Sequence, residues 1–215
     1  MPSKIFMAVI VPLSILLPIF IGLLKYRQLS ASAKLIHWYL IISALFTSAS
    51  LLMSTYYHQN SMPVSHLFTV VELAMIVFFY KRLFTPGTHN RFYYGIILFF
   101  TMLCILNAIF FQSIYTYNSY TKSIEAIICI LFAMKYFASI ASGNNASGKI
   151  LYSADFYFNA AFFQYFSGAF MLFVFSNFII TNLSRSDFFT IWTIHAALVL
   201  IMYLLFSTAF LLCKK

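Results

Sequence analysis

Long apolar runs alternate with short polar breaks along the chain, and no stretch shows the period-two alternation of a β-strand. About 20 apolar residues in a helix cover the roughly 30 Å hydrocarbon layer of a bilayer. Seven runs reach that length, near residues 5–24, 35–54, 64–84, 92–112, 121–141, 158–180 and 187–212. The breaks carry their own stop signals: the polar stretch Lys25 to Lys34, the turn Asn60 to Pro63, Thr85-Pro86-Gly87, and Ser142-Gly143-Asn144-Asn145. No break is long enough to fold separately. The expectation is an all-α integral membrane bundle of seven transmembrane helices, forming one domain over residues 1–215. The first run resembles a signal peptide in having Lys4 ahead of it and Ala31-Ser32-Ala33 after it. It is too long for one, however, and Lys25 and Arg27 separate it from the small residues, so it is read as a helix.

Composition strengthens this reading. Of 215 residues, 63% are hydrophobic and only 8% charged, against roughly a quarter charged in soluble domains. The formal net charge of +9 reflects a shortage of acids, which number 4, as much as a surplus of bases. The bases are scattered rather than clustered on one strip, which argues against a nucleic-acid partner. Cys104, Cys129 and Cys213 lie within apolar runs, odd in number, and are read as packing residues rather than disulfides or zinc ligands.

Lys and Arg in short loops set orientation, the richer side being cytoplasmic. Lys25, Arg27, Lys34, Lys81, Arg82, Arg91, Lys135, Lys149, Lys214 and Lys215 fall on one side, leaving Lys4, Lys122 and Arg185 on the other. The N-terminus is therefore expected outside and the C-terminus in the cytoplasm. Tyr56, Tyr57, Tyr115, Tyr117 and Tyr120 at outer ends, with Tyr93 and Tyr94 at an inner one, suit the two headgroup belts.

Polar groups inside lipid-spanning runs need a reason, since an unpaired carboxylate there costs at least a few kcal/mol. Glu72 lies about eight residues into the third run, roughly 12 Å below its outer edge at 1.5 Å per residue. Glu125 enters the fifth run from the same side, Asn107 closes the fourth, and His195 is well inside the seventh. With His66 at the mouth of the third run and Asn177 toward the outer end of the sixth, polar groups collect in the outer half. Ser65, Thr69 and Glu72 fall within about 60° of one helix face, as do Asn118, Lys122, Glu125 and Cys129 if the fifth helix extends upward. Glu72, His195, Glu125, Asn107, His66, Asn177 and Thr69 are therefore the candidate residues of an outward-facing ligand pocket. The plainer alternative is that Glu125 pairs with Lys122 three residues earlier, while Glu72 bonds a neighbouring helix. Along the second run, Tyr39, Ser43, Thr47, Ser50 and Ser54 form a stripe of the kind that marks close helix packing. Lys135 lies in the fifth run, whereas a retinal Schiff base is expected mid-membrane in the seventh, so a rhodopsin is disfavoured.

Asn60, Pro63, His66, Leu67, Thr69 and Glu72, followed by Phe79-Tyr80, resemble a pattern in uncharacterised bacterial seven-helix proteins, found mainly in the Bacteroidetes. Tyr165-Phe166-Ser167-Gly168, Ser176-Asn177, Trp192, Ile194 and His195 are similar to the closing motifs of that family. The resemblance implies a bacterial inner-membrane location and the seven-helix topology, marks His66, Glu72, Asn177 and His195 as family features, and brings no activity. Zinc-dependent ceramidase-like hydrolases would need more histidines and an intramembrane aspartate, and the acidic motifs of lysoplasmalogenases have no counterpart here.

No cofactor or bound metal is expected. The leading expectation is a non-enzymatic sensory or accessory protein that binds a small or amphiphilic ligand in the outer pocket and meets a membrane or cytoplasmic signalling partner. The alternatives are a membrane-embedded lipid hydrolase using Glu72 and His195, and a proton-coupled transporter. The latter is disfavoured because the chain shows no internal repeat.

Overall fold

The computed structural model describes residues 5–84, 90–142 and 153–213. Among these residues there are no strands, and seven helices are long and apolar enough to cross a membrane: α1 (Phe6–Leu24), α2 (Ala31–Tyr56), α3 (Met62–Phe84), α4 (Asn90–Phe111), α5 (Ser119–Ala141), α6 (Ala154–Asn182) and α7 (Arg185–Leu212). This is the pattern of a multi-pass membrane protein. The stop signals at Thr85-Pro86-Gly87 and Gly143-Asn144-Asn145, together with Lys4, Lys149 and Lys214-Lys215, lie outside the described residues.

Observed boundaries differ from hydropathy where polar residues cap a helix. The Ser30 side chain accepts from the Ala33 amide, 3.2 Å away, and starts α2 four residues ahead of the apolar run. The α6 helix begins equally early because Asp155 in its first turn accepts from the Ser32 hydroxyl, 2.8 Å away, and favours the positive helix end. Ser184 caps α7 by accepting from Asp187 N at 3.2 Å while its hydroxyl donates to the Asp187 carboxylate. At the far end of α7, Lys25 Nζ donates to the carbonyls of Leu211 and Cys213, in the terminal turn where helix carbonyls need partners from outside the helix.

The helices run alternately up and down. Asn60 bonds the Tyr115 carbonyl and His66 Nε2 the Thr116 carbonyl, placing residues 57–61 and 112–118 at one end, called here the Asn118 end. The Lys25 and Ser32 bonds mark the opposite end. The α6 helix packs on both α5 and α7 and also touches α2, whereas α4 is peripheral and rests mainly on α3. Phe158, Phe162, Phe166 and Phe173 of α6 are at most 1% exposed, and Phe158 and Phe162 meet Phe79, Phe206 and Phe210. Aromatic packing of this kind supplies much of the association energy where lipid removes the ordinary hydrophobic drive between helices. At Gly22 of α1 a Cβ would stand 2.5 Å from His37 Nδ1, so only glycine lets α1 approach α2 this closely.

One polar residue sits inside this aromatic core. Asn159 is fully buried, accepts from the Tyr80 hydroxyl at 2.9 Å and donates to the Ala133 carbonyl at 3.4 Å, tying α6 to α3 and α5. Asn159→Leu should lower unfolding free energy by about 1–3 kcal/mol, because the buried Tyr80 hydroxyl loses its acceptor. Pairing it with Tyr80→Phe should recover part of that loss in a denaturation assay. An unchanged single variant would show that the bond contributes nothing.

The α1 helix is broken. Ile15 is a turn residue between helical pieces Val11–Ser14 and Leu16–Leu24, with Pro12 before it and Pro18 after it. Pro18 has no N–H to give to the carbonyl four residues earlier, which weakens the ladder there. The second piece packs on α2 and α7, while the first packs mainly on α7. In addition, α1 starts in a π-turn (Phe6–Ile10), and α2 and α4 finish in π-turns (Leu52–Tyr56 and Asn107–Phe111), all at the Asn118 end. Such turns concentrate at functional sites.

Candidate functional site

Three charged side chains meet inside the half of the bundle nearest the Asn118 end. Lys122, on the first turn of α5, is 7% exposed and places Nζ 2.6 Å from Glu72 Oε2 of α3 and 2.9 Å from Glu125 Oε2 of α5. Glu72 is 4% exposed and Glu125 fully buried. The second Glu72 oxygen accepts from the Tyr39 hydroxyl of α2 at 2.8 Å. One ammonium thus joins α3 to α5, and Glu72 joins both to α2. Two carboxylates against one ammonium leave the fully ionised triad one negative charge in surplus. Glu125 Oε1 has no hydrogen-bond partner among the described residues.

The triad borders a cavity of about 340 Å³. Glu72 and Lys122 form one wall with Phe68. Tyr39, Ser43 and Thr47 of α2 and Met7, Val11 and Pro12 of α1 form another, and Tyr165 of α6 faces Trp192, His195 and Tyr203 of α7. Glu125 lies behind Lys122 and does not line this space. Polar atoms around the cavity are already oriented: His195 Nε2 is 3.3 Å from the Tyr165 hydroxyl, and the His195 ring lies 5.2 Å from that of Trp192. The buried Trp192 indole N–H has no acceptor among the described residues. The charged groups that line the cavity are thus the paired Glu72 and Lys122, set among the side chains of Phe68, Tyr39, Tyr165, Trp192 and Tyr203.

The remaining sequence candidates fall into separate networks closer to the Asn118 end. Thr69 is fully buried and accepts from Asn118 Nδ2 at 2.7 Å, while His66 bonds the Thr116 carbonyl at 3.0 Å. Asn107 donates to Gln112 at 3.2 Å; Gln112 in turn donates to Ser119 Oγ at 2.7 Å, and Asn177 reaches the same oxygen at 2.9 Å. These bonds splice α4, α5 and α6 together, so Asn107 and Asn177 stand with Gln112 and Ser119 rather than with the cavity. Glu72 and His195 line the cavity through different partners, and Glu125 joins it only through Lys122.

Two expectations need correction. Lys122 is counted above among loop cations, but α5 starts at Ser119 and carries it inside the protein. Its spacing of three from Glu125, and its phase with Asn118 and Cys129, were the available signal. Tyr39, Ser43 and Thr47 were assigned to close helix packing, yet they face the cavity. Tyr165 entered only as part of the family-like motif Tyr165-Phe166-Ser167-Gly168, with no role attached, and Tyr203 gave no signal, since tyrosine is abundant in this chain. Among the described residues no three His, Cys, Asp or Glu side chains converge as metal ligands.

Comparison with protein-family profiles, with curated proteins and with solved structures finds no match for the chain.

Proposed function

We propose that this is a non-enzymatic sensory or accessory protein of a bacterial inner membrane, whose cavity binds a small or amphiphilic ligand. The observation that carries this reading is the 340 Å³ cavity with a buried Glu72–Lys122 pair in its wall. A volume in the range of ordinary ligand sites, mostly apolar lining and a few fixed polar groups are the usual attributes of a binding pocket. Glu72 is held by Tyr39 and Lys122, and His195 by Tyr165, so each is oriented by a partner of its own. That arrangement favours recognition over hydrolysis.

On this reading the Asn118 end faces outward, with the N-terminus outside and the C-terminus in the cytoplasm. Moving Lys122 from the loops into the bundle leaves the outer side poorer still in cations, which supports the orientation. Ligand occupancy would alter how α1, α2 and α7 pack around the cavity, and a partner at the basic inner side would read the change.

The test is thermal unfolding of the purified protein in lipid nanodiscs, against small molecules and fractionated polar lipids from its native membrane. At least one fraction should raise the unfolding temperature saturably, as mass action requires of a ligand that binds only the folded state. Val199→Phe, which fills the cavity from α7, should abolish that shift while leaving the unliganded protein folded. A shift that survives the filled cavity, or no shift from any fraction, would defeat the proposal.

A further inference from the structure

A second space lies between α4 and α5, sharing no lining residue with the cavity. The α4 helix rests mainly on α3, and its last turns leave a pocket of about 430 Å³ against the start of α5. Leu103, Leu106 and Phe111 border it from α4, Tyr120 and Ile124 from α5, and Asn107 and Thr121 are its buried polar residues. Leu106, Phe111 and Tyr120 are exposed, so the pocket opens on the surface that a spanning bundle turns to lipid. Leu103 stands eight residues before Phe111, the last residue of α4, and the pocket therefore reaches roughly 12 Å along the helix from its Asn118 end.

The neighbours of Asn107 fix the orientation of its amide. The Tyr120 backbone N–H can only donate and lies 3.3 Å from Gln112 Oε1, while Gln112 Nε2 donates to Ser119 Oγ. The Asn107 atom 3.2 Å from Gln112 Oε1 is therefore Nδ2. Its carbonyl oxygen is left buried with no donor among the described residues, a costly state for a polar atom. Asn107 also begins the π-turn that ends α4, a device found often at functional sites.

We infer that this pocket binds an uncharged lipid with a free hydroxyl, which donates to Asn107 Oδ1 while the alkyl chain lies along Leu103, Leu106 and Ile124. The hydroxyl supplies the missing donor. No charged side chain lines the pocket, so a charged head seated against Asn107 would lie between spanning helices without a counter-charge. The apolar lining and the opening to lipid let the chain enter without meeting water. The site is independent of the ligand proposed for the cavity.

The test is photolabelling in zwitterionic nanodiscs with hexadecanol carrying a diazirine on its chain, the labelled segments being read by mass spectrometry. Labelling of residues 103–111 and 120–124 should saturate. Unlabelled hexadecanol should compete at about tenfold lower concentration than hexadecyl methyl ether, which has the same chain and no donor. Asn107→Leu should abolish that preference, so that the two compete equally, a change that loosened packing alone would not produce. Ile124→Phe, which fills the pocket and leaves the Asn107 amide bonds in place, should reduce saturable labelling at least about tenfold. Leu106→Trp, at an exposed position, repeats this from α4 should the first variant unfold at lower temperature. Labelling that rises without saturation would mean bulk lipid only and overturn the site, as would parental labelling in both filled variants. Equal competition by the methyl ether in the parent would remove the hydroxyl. If the protein is instead a dimer whose α4 is shielded from the probe, a second copy covers the gap and the inference falls.

Discussion

Lys122→Met should destabilise the protein by about 3–5 kcal/mol, the cost of removing one partner from a buried ion pair. The cause is specific. Lys122 Nζ lies 2.6 Å and 2.9 Å from two carboxylates that are 4% exposed and fully buried. Without it, Glu72 and Glu125 face each other's charge in a region of low dielectric, and no other cation lies within ion-pair distance of either among the described residues. Such a loss exceeds a third of the stability of many folded domains, so the variant should accumulate poorly in the membrane and unfold early in detergent.

The same physics specifies the rescue. Adding Glu72→Gln and Glu125→Gln to Lys122→Met removes every formal charge together, while an amide at position 72 still offers Tyr39 an acceptor. The triple variant should regain most of the lost stability, because replacing a complete buried charge cluster with neutral groups is often near neutral. It should also lose the ligand-induced rise in unfolding temperature expected of the parent, which separates the fold's need for charge balance from the site's need for charge. Unfolding temperatures of the single and triple variants decide the matter. If Lys122→Met alone is as stable as the parent, the ammonium is not compensating the carboxylates.

How far the sequence foretold this molecule depends on the range of the interaction concerned. A run of 20 apolar residues is a local property, and each of the seven runs became a helix at its expected place. The starts of α2 and α6 were placed too late because hydropathy registers apolar side chains, whereas Ser30 and Asp155 stabilise a helix start through hydrogen bonds and the helix dipole. The polar residues were harder. Helical phase puts Glu72 and Thr69 on one face of α3, but only the rotation of α3 against its neighbours decides that Glu72 meets Lys122 while Thr69 meets Asn118. The Tyr39–Glu72 and Tyr165–His195 bonds join residues about thirty positions apart on different helices. The Lys122–Glu125 pair was legible in its spacing of three and is present, but the second partner, Glu72, was not: a lysine near a helix start ordinarily snorkels to the interface, and the two facing carboxylates make burial the better state.

Leu98→Asp in the middle of α4 should cost about 2.5–3.5 kcal/mol for insertion of that segment, the magnitude measured for a central aspartate in a spanning helix. The position matters because α4 is the least covered helix. Leu98 is 65% exposed, Phe99 61% and Ile109 66%, whereas Tyr93 and Phe100, on the other side of the helix, are nearly buried. In water an apolar face of this extent would drive aggregation; in lipid it is the expected outer wall of a bundle that needs no partner there. A carboxylate at position 98 would lie in hydrocarbon without a counter-charge, unlike Glu72, and it is too short to reach either interface. Phe92→Arg, two residues into α4, should by contrast cost little, because the long arginine stem lets the guanidinium reach the headgroups. Measuring the inserted fraction of both variants with a membrane-targeted translation assay distinguishes the cases. Equal insertion of Leu98→Asp and the parent would mean that this face of α4 does not contact lipid. The wide exposure of α4 would then have to be covered by protein, and the seven helices could not be taken as the complete membrane-embedded unit.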